Sequence, residues 1–565
     1  MKNRYNLLIL YLFLGIILPA QAQHAPIIPQ PVSLEMKGEG FVLDAHTSIQ
    51  FKRTNKELAA LAQYLANHVK NVAGYTLPLN KKKAKTIELS LESMADLGPE
   101  GYRLSVMPEA IRIRGNTRAG VFYGLQSLIQ TLPAIRTNQV LLVPGMEIKD
   151  EPRFGWRAML LDVSRHFYTV EDVKEFIDLL ALYKMNTFHW HLTDNEGWRL
   201  EIKKYPKLTS VGAWRQEIPG SVYYKPDSTY KEPLTGKPYT YGGYYTQEQA
   251  REVVAYARAR NITVVPEIDV PGHSGAALTA YPEFSCERHQ QQAPSSSLWN
   301  GVTDPTKVNL IYCAGNDSSF LFLQDVLQEV MAIFPSEYIH IGGDEVDKSY
   351  WKKCPRCQAR MAAEGLKNEE ELQSYFIRRM EKYLLAHNKK LLGWDEILEG
   401  GLAPTATVMS WRGEKGGIAA AKMGHDVVMT PGDPLYFNRH QTGPDGEPYA
   451  ASYSINTLER VYKYNPHPEA LNMLERKHVL GAQANIWTEF ISSPSHLQYM
   501  LLPRMPALAE ALWTPLEEKD FNSFISRLNS GHFQGWEARG LRFHLQYYQS
   551  RSHEGNREVE LKPVN

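Results

Sequence analysis

From Pro152 onward, apolar and polar positions come in blocks. A short apolar run that reads as a buried strand gives way to a polar loop. A stretch with apolar residues three and four apart follows, and then the cycle begins again. The apolar runs fall at Ala158–Val163, Asn186–Leu192, Ile262–Ile268, Tyr338–Ile341, Lys390–Trp394, Thr405–Trp411, Asp426–Thr430 and Val479–Trp487. Helical spacing covers Thr169–Leu182, Thr246–Arg258, Ser319–Ile333, Glu370–His387 and His496–Leu512, with a last helix from Asp520 to Arg539. Eight strands alternating with helices predict an α/β chain closed into a TIM (β/α)8 barrel.

Ahead of Pro152 the pattern is mixed. Ser48–Lys52, Thr86–Leu91 and Ala110–Arg114 alternate as strands, and Lys56–Val72 reads as an amphipathic helix. Gly115-Asn116-Thr117 opens a second helix that Pro133 ends. The expected organisation is a small α+β domain over residues 23–150, the barrel over 151–540 and a polar tail over 541–565. No cluster of acids, histidines or cysteines stands out in the first domain, so its expected role is support.

Residues 1–22 have the form of a signal peptide: Lys2 and Arg4, an apolar run from Leu7 to Pro19, then Ala20-Gln21-Ala22. The run is short for a bilayer span, no later stretch is longer, and no cysteine follows the cut to carry a lipid. The chain is therefore expected to be exported, periplasmic or secreted, with no transmembrane segment. In an oxidising compartment its four cysteines are expected as two disulfides, Cys286 with Cys313 and Cys354 with Cys357. A zinc or redox site is the alternative for Cys354-Pro-Arg-Cys357, but no thioredoxin pattern or second C-x-x-C accompanies it.

Charge narrows the ligand. Lysine plus arginine equals aspartate plus glutamate at 62 each, which removes the electrostatic reason for a nucleic-acid partner. The 11 Trp and 31 Tyr offer flat faces of the kind that lie against sugar rings.

The chemistry-bearing residues recur where a parallel barrel opens, at the C-terminal ends of its strands. The first strand is led in by Arg157 and exits through Asp162-Val163-Ser164-Arg165-His166. The second ends His189-Trp190-His191-Leu192-Thr193-Asp194, and the third Glu267-Ile268-Asp269-Val270-Pro271-Gly272-His273. In the fourth, Gly342-Gly343 precede the adjacent acids Asp344 and Glu345. The remaining exits carry Trp394-Asp395-Glu396, Trp411-Arg412, Tyr436-Phe437-Asn438 and Trp487-Thr488-Glu489. His189-x-His191 with His273 has the makings of a metal site. Each histidine nevertheless sits among carboxylates able to orient it, and three tryptophans make the mouth an apolar slot, so neither a metal nor a cofactor is expected.

A glycosidase that uses two carboxyls places them on opposite sides of the bond it cuts. Adjacent residues on one strand end cannot straddle a ring. One of the pair is then the acid, and the other steadies a nucleophile carried by the substrate, a 2-acetamido oxygen.

Four segments, W-R-x-M-L-L-D-V-S-R-H-F from Trp156, F-H-W-H-L-T-D-N-E-G-W-R from Phe188, P-E-I-D-V-P-G-H from Pro266 and H-I-G-G-D-E from His340, together resemble glycoside hydrolase family 20, the β-N-acetylhexosaminidases. The resemblance covers residues 24 to 540 and includes the α+β domain that precedes the barrel in that family. It implies removal of terminal, non-reducing β-linked N-acetylglucosamine or N-acetylgalactosamine, with retention and no cofactor. Carried over by position, it makes Glu345 the general acid/base, Asp344 the carboxylate that orients the acetamido group, and Tyr436 the hydroxyl donor to its oxygen. A donor must hold a proton, so Glu345 in that role is expected to have a raised pKa, from an apolar wall and from the Asp344 charge. Trp394, Trp411 and Trp487 become the walls of the acetamido slot, Arg157 and Glu489 the contacts to outer hydroxyls, and Asp194 and His273 the polar support of the acid. Asn438 stands where some members carry Asp, a departure that bears on hydroxyl recognition. Two other readings remain open here: a catalytically silent sugar-binding protein on the same scaffold, and a disaccharide-releasing member whose pocket depth is set by the Tyr-, Pro- and Gly-rich segment Pro219–Tyr245.

Overall fold

Eight parallel strands, Trp156–Asp162, Thr187–His191, Thr263–Glu267, Tyr338–His340, Lys390–Trp394, Thr407–Ser410, Val427–Met429 and Val479–Ile486, close into a barrel in sequence order, the last pairing with the first. This computed structural model describes residues 25–137, 140–216, 231, 237–287 and 310–549. Every residue of the first strand is buried, as expected where helices cover the outside of a parallel sheet and side chains fill the inside. Side chains alternate across it. Trp156, Ala158 and Leu160 join Val265, Leu392, Met409 and Val428 in the barrel interior, while Met159 and Leu161 pack into the surrounding helical layer.

The helices begin where the sequence supplies caps. Thr169 and Asp172 form a reciprocal capping box at Val170–Leu182, and Thr246 and Gln249 do so at Gln247–Ala259. The helix expected over His496–Leu512 is two, Pro494–Leu501 and Arg504–Trp513. Pro503 lacks the N–H that would continue the first, and Leu502 before it is extended. Among the described residues no helix is long and apolar enough to cross a membrane.

The N-terminal domain is a six-stranded sheet in the order Ser33–Met36, Met146–Asp150, Tyr102–Val106, Ala110–Gly115, Thr86–Leu91, Ser48–Phe51, with helices Lys56–Ala73 and Arg118–Gln130. The second helix is buried along nearly its whole length, and Tyr123 meets Trp513 of the barrel edge-on at 5.2 Å. The joint between the domains is polar at its centre. Buried Asp150 accepts from Lys184 at 3.0 Å, Tyr102 at 2.7 Å, the Trp513 indole at 2.8 Å and the Val32 amide at 3.0 Å.

Two sequence expectations meet a different arrangement. None of the four cysteines is in a disulfide, and they converge on one point. The C-x-x-C opens helix Pro355–Glu364, whose turn brings both of its sulfurs toward Cys286 and Cys313. Part of the expected tail is also fixed, since Phe543 packs on Phe533 and Trp536 with ring centres 5.3 and 5.5 Å apart. The signal segment 1–22, residues 550–565 and most of the segment Pro219–Tyr245 lie outside the described residues.

Candidate active site

The fourth strand ends at His340, and its chain must then turn sharply. Gly342 and Gly343 take φ of +69° and +97°, a region open to glycine, and a Cβ on Gly342 would lie 1.7 Å from Asp269 Oδ1. Glu345 follows at φ 45°, a left-handed conformation uncommon for a residue with a side chain. The turn splays the two acids. The Asp344 side chain is 13% exposed and faces the barrel mouth, whereas that of Glu345 is 58% exposed and stands on the rim.

His273, from the loop after the third strand, lies between them, with Nε2 3.5 Å from Asp344 and 3.4 Å from Glu345. Its Nδ1 meets Asp194 at 2.9 Å. Burial alone would lower this imidazole, but the Asp194 and Asp344 carboxylates outweigh it and hold the pKa well above the usual histidine range. Arg165 anchors the far end, 2.8 Å from Asp194, 3.1 Å from Asp162 and 3.2 Å from Glu196. The result is an alternation of charge, Arg165–Asp194–His273, that ends on the paired acids.

The acids respond in opposite directions. Burial pushes Asp344 up to about 6, with Glu345 adding to the rise and His273 opposing it. The hydrogen bond from His273 holds Glu345 below the usual carboxylate range. The expectation of a raised Glu345 is therefore corrected for the unliganded site, because the wall beside this carboxyl is a cation and open solvent.

The slot is aromatic. Trp411 stacks on Tyr436 with centres 6.0 Å apart and planes at 13°, Tyr436 meets Trp487 edge-on at 6.2 Å, and Trp394 lies 5.8 Å from Trp487. Two indoles are fixed by buried acids, Trp411 by Glu396 and Trp394 by Glu267, both at 2.9 Å. Glu267 is itself ringed by His189, His191 and His340, which hold it well below the ordinary range against the cost of burial. Burial drives Glu396 up to about 8 and Glu489 up to about 7.

Glu345, Asp344, Tyr436, Trp394, Trp411, Trp487, Asp194, His273, Glu489 and Asn438 all stand on strand exits at this mouth. Asp344 Oδ1, Asn438 Oδ1 and Glu489 Oε2 are buried and accept no hydrogen bond from the protein, the signature of acceptors kept for a ligand. Arg157 is elsewhere. It is the second residue of its strand, at the closed end of the barrel, and the alternation that points Ala158 inward points Arg157 out. Its guanidinium pairs with Glu100 at 2.8 Å and lies 4.9 Å from the Trp513 ring. The arginine at the mouth is Arg165, over Trp487 at 5.2 Å. Position in the strand could have found it, since only residues at a strand's C-terminal end reach the opening. Glu267 and its three histidines, Glu196 and Glu396 were likewise assigned no role from sequence.

The profile of "Glycosyl hydrolase family 20, catalytic domain" matches residues 154–516, and that of "Glycosyl hydrolase family 20, domain 2" matches residues 24–151. A β-hexosaminidase of Porphyromonas gingivalis is 46% identical over 92% of this chain, which spans 64% of that longer protein. One from Vibrio furnissii is 38% identical over 86% of the chain and 76% of its own length. Among solved structures, the exo β-N-acetylglucosaminidase of Vibrio harveyi in complex with N-acetylglucosamine superposes with a TM-score of 0.80 at 33% identity, over 94% of this chain and 80% of that one. The matches run through both domains in order and take in every residue that lines the mouth, so the chain belongs to glycoside hydrolase family 20.

Proposed function

We propose that this chain removes terminal, non-reducing β-linked N-acetylglucosamine or N-acetylgalactosamine from oligosaccharides or glycoconjugates, with retention, using the substrate's own acetamido oxygen as nucleophile. One observation carries the mechanism: two consecutive carboxyls share the His273 imidazolium, one turned into a tryptophan slot and the other onto its rim. A carboxylate pair so placed cannot flank a sugar ring from both faces. The relatives' names, and the N-acetylglucosamine bound by the Vibrio harveyi neighbour, support the choice of sugar.

In this scheme the acetamido methyl lies among Trp394, Trp411 and Trp487. The Tyr436 hydroxyl donates to the acetamido oxygen and Asp344 accepts from the amide N–H. The oxygen attacks the anomeric carbon as the glycosidic C–O bond breaks, and Glu345 gives its proton to the departing oxygen. Asp344 then balances the positive charge of the cyclic intermediate. Water attacks the same carbon, losing its proton to Glu345, and restores the acetamido group. Arg165, buried beside Trp487, and Glu489, whose Oε2 is buried at the mouth, hold the sugar's hydroxyls. Binding covers Glu345 and removes water around it, which raises its pKa toward that of a donor.

The test separates the two acids. Glu345→Gln is expected to abolish turnover of a sugar leaving group while sparing an activated aryl one, which departs without a proton. Asp344→Asn is expected to depress both; an unchanged rate in that variant overturns the internal-nucleophile scheme. Export is part of the proposal, and recovery of the chain in the cytoplasmic fraction with residues 1–22 still attached would refute it.

A further inference from the structure

The four cysteines lie outside the site just described, and their geometry is that of a ligand set. Cys313 Sγ is 3.8 Å from Cys354 and 3.7 Å from Cys357, Cys286 is 3.8 Å from Cys357, and all four sulfurs fall within 4.8 Å of one another. A disulfide needs about 2.05 Å between its sulfurs. Four thiolates about 2.3 Å from a central zinc ion form a tetrahedron with edges of about 3.8 Å. We propose that Cys286, Cys313, Cys354 and Cys357 bind one structural Zn2+ as a closed tetrathiolate.

The surrounding chain is built for such a centre. Three of the sulfurs are buried and Cys286 is half-buried, as suits a site with no position open to water. The backbone brings the two halves together. Ser285 and Tyr312 form an antiparallel bridge, the Cys313 amide donates to Phe284 O at 2.9 Å, and Arg356 donates to Ser285 O at 3.0 Å. Gly315 lies so close to the C-x-x-C that a Cβ there would sit 2.2 Å from the Arg356 carbonyl carbon.

The position gives the metal a purpose. Cys286 and Cys313 belong to the loop after the third strand, which carries His273; Cys354 and Cys357 follow Asp344 and Glu345 on the loop after the fourth. Between centre and site, Tyr312 N donates to Pro271 O at 3.0 Å, and the buried Trp351 indole donates to Tyr312 O at 2.9 Å. The zinc ties these two loops together and so holds His273 in register with the acids. Binding converts four thiols to thiolates and releases four protons, with no change of oxidation state.

The experiment is metal and thiol counting on the purified full chain. One zinc per chain by mass spectrometry of the metal is expected, with four thiols titrating only after denaturation in the presence of a chelator. Cys354→Ser/Cys357→Ser is expected to hold no zinc. Growth in cobalt is expected to give the visible bands of a tetrahedral cobalt tetrathiolate, which a merely structural role of the cysteines would not produce. Two disulfides without metal, four thiols without metal, or iron in place of zinc would each overturn the assignment. The wild-type counts decide the matter even if the serine variant does not fold.

Discussion

Removal of the His273 charge tests how the acid pair is held. Glu345 lies below the ordinary carboxylate range and Asp344 at about 6, so between those values the two carboxyls carry one proton. Turnover requires that proton on Glu345 with Asp344 ionised. Below the lower value a second proton neutralises the pair; above about 6 the pair is doubly ionised and has nothing to donate. kcat/KM is thus expected to be bell-shaped, with its alkaline limb near 6. His273 remains an imidazolium across this window, and it favours the doubly ionised pair. A unit charge 3.5 Å from Asp344 contributes about 1.2 kcal/mol in water and about 5 kcal/mol at an effective dielectric of ~20. At about 1.4 kcal/mol per unit, that is a shift of about 0.9 to 3.5 units. His273→Gln is therefore expected to move the alkaline limb up by at least about one unit, toward neutral pH, while the maximum rate falls. The assay is kcat/KM against pH, at fixed ionic strength, for a disaccharide of N-acetylglucosamine, because an aryl leaving group would hide the need for the proton. A limb that stays near 6 in the variant would refute the reasoning, whatever happens to the rate.

Other expectations follow from the same contacts. Arg165→Lys loses a fork that meets three carboxylates and should raise KM for the sugar, whereas Arg157→Lys should lower the melting temperature and leave KM alone; the reverse pattern would restore Arg157 to the site. Asp150→Ala strips the partner from fully buried Lys184 and is expected to cost about 3–5 kcal/mol in denaturant unfolding, with kcat/KM of the folded fraction unchanged. If Trp411 is a wall of the acyl slot, replacing N-acetyl by N-propionyl in the substrate should cost the wild type about 1–3 kcal/mol, roughly 10- to 200-fold in kcat/KM. Trp411→Ala should shrink that difference, and equal selectivity in variant and wild type would place the acyl group elsewhere.

The barrel was legible because its strands are wrapped on both sides. Lys390–Trp394 matches its apolar run at both ends, and the other seven differ by a few residues, because burial continues past the last ladder hydrogen bond, as at Leu192, Ile268 and Ile341. Five strands of the first domain, Ser33–Met36, Phe41–Leu43, Tyr102–Val106, Leu141–Val143 and Met146–Asp150, were not legible. The first is mostly exposed and carries no apolar alternation to read. Within the site, sequence supplied the residues but not their neighbours. The direction of the Glu345 pKa depends on His273, which reaches it from another strand's loop, and adjacency in the chain revealed only Asp344. The cysteines repeat the lesson, since spacing suggests pairs and only the meeting of two loops makes a tetrad. Arg157 is a different case. The rule that a parallel barrel opens at the C-terminal ends of its strands, applied with the two-residue period of a strand, already places Arg157 at the closed end with its side chain outward and Arg165 at the opening. What misled was a motif that contains both arginines: it identifies a family, but only the strand's register says which of them can touch a sugar.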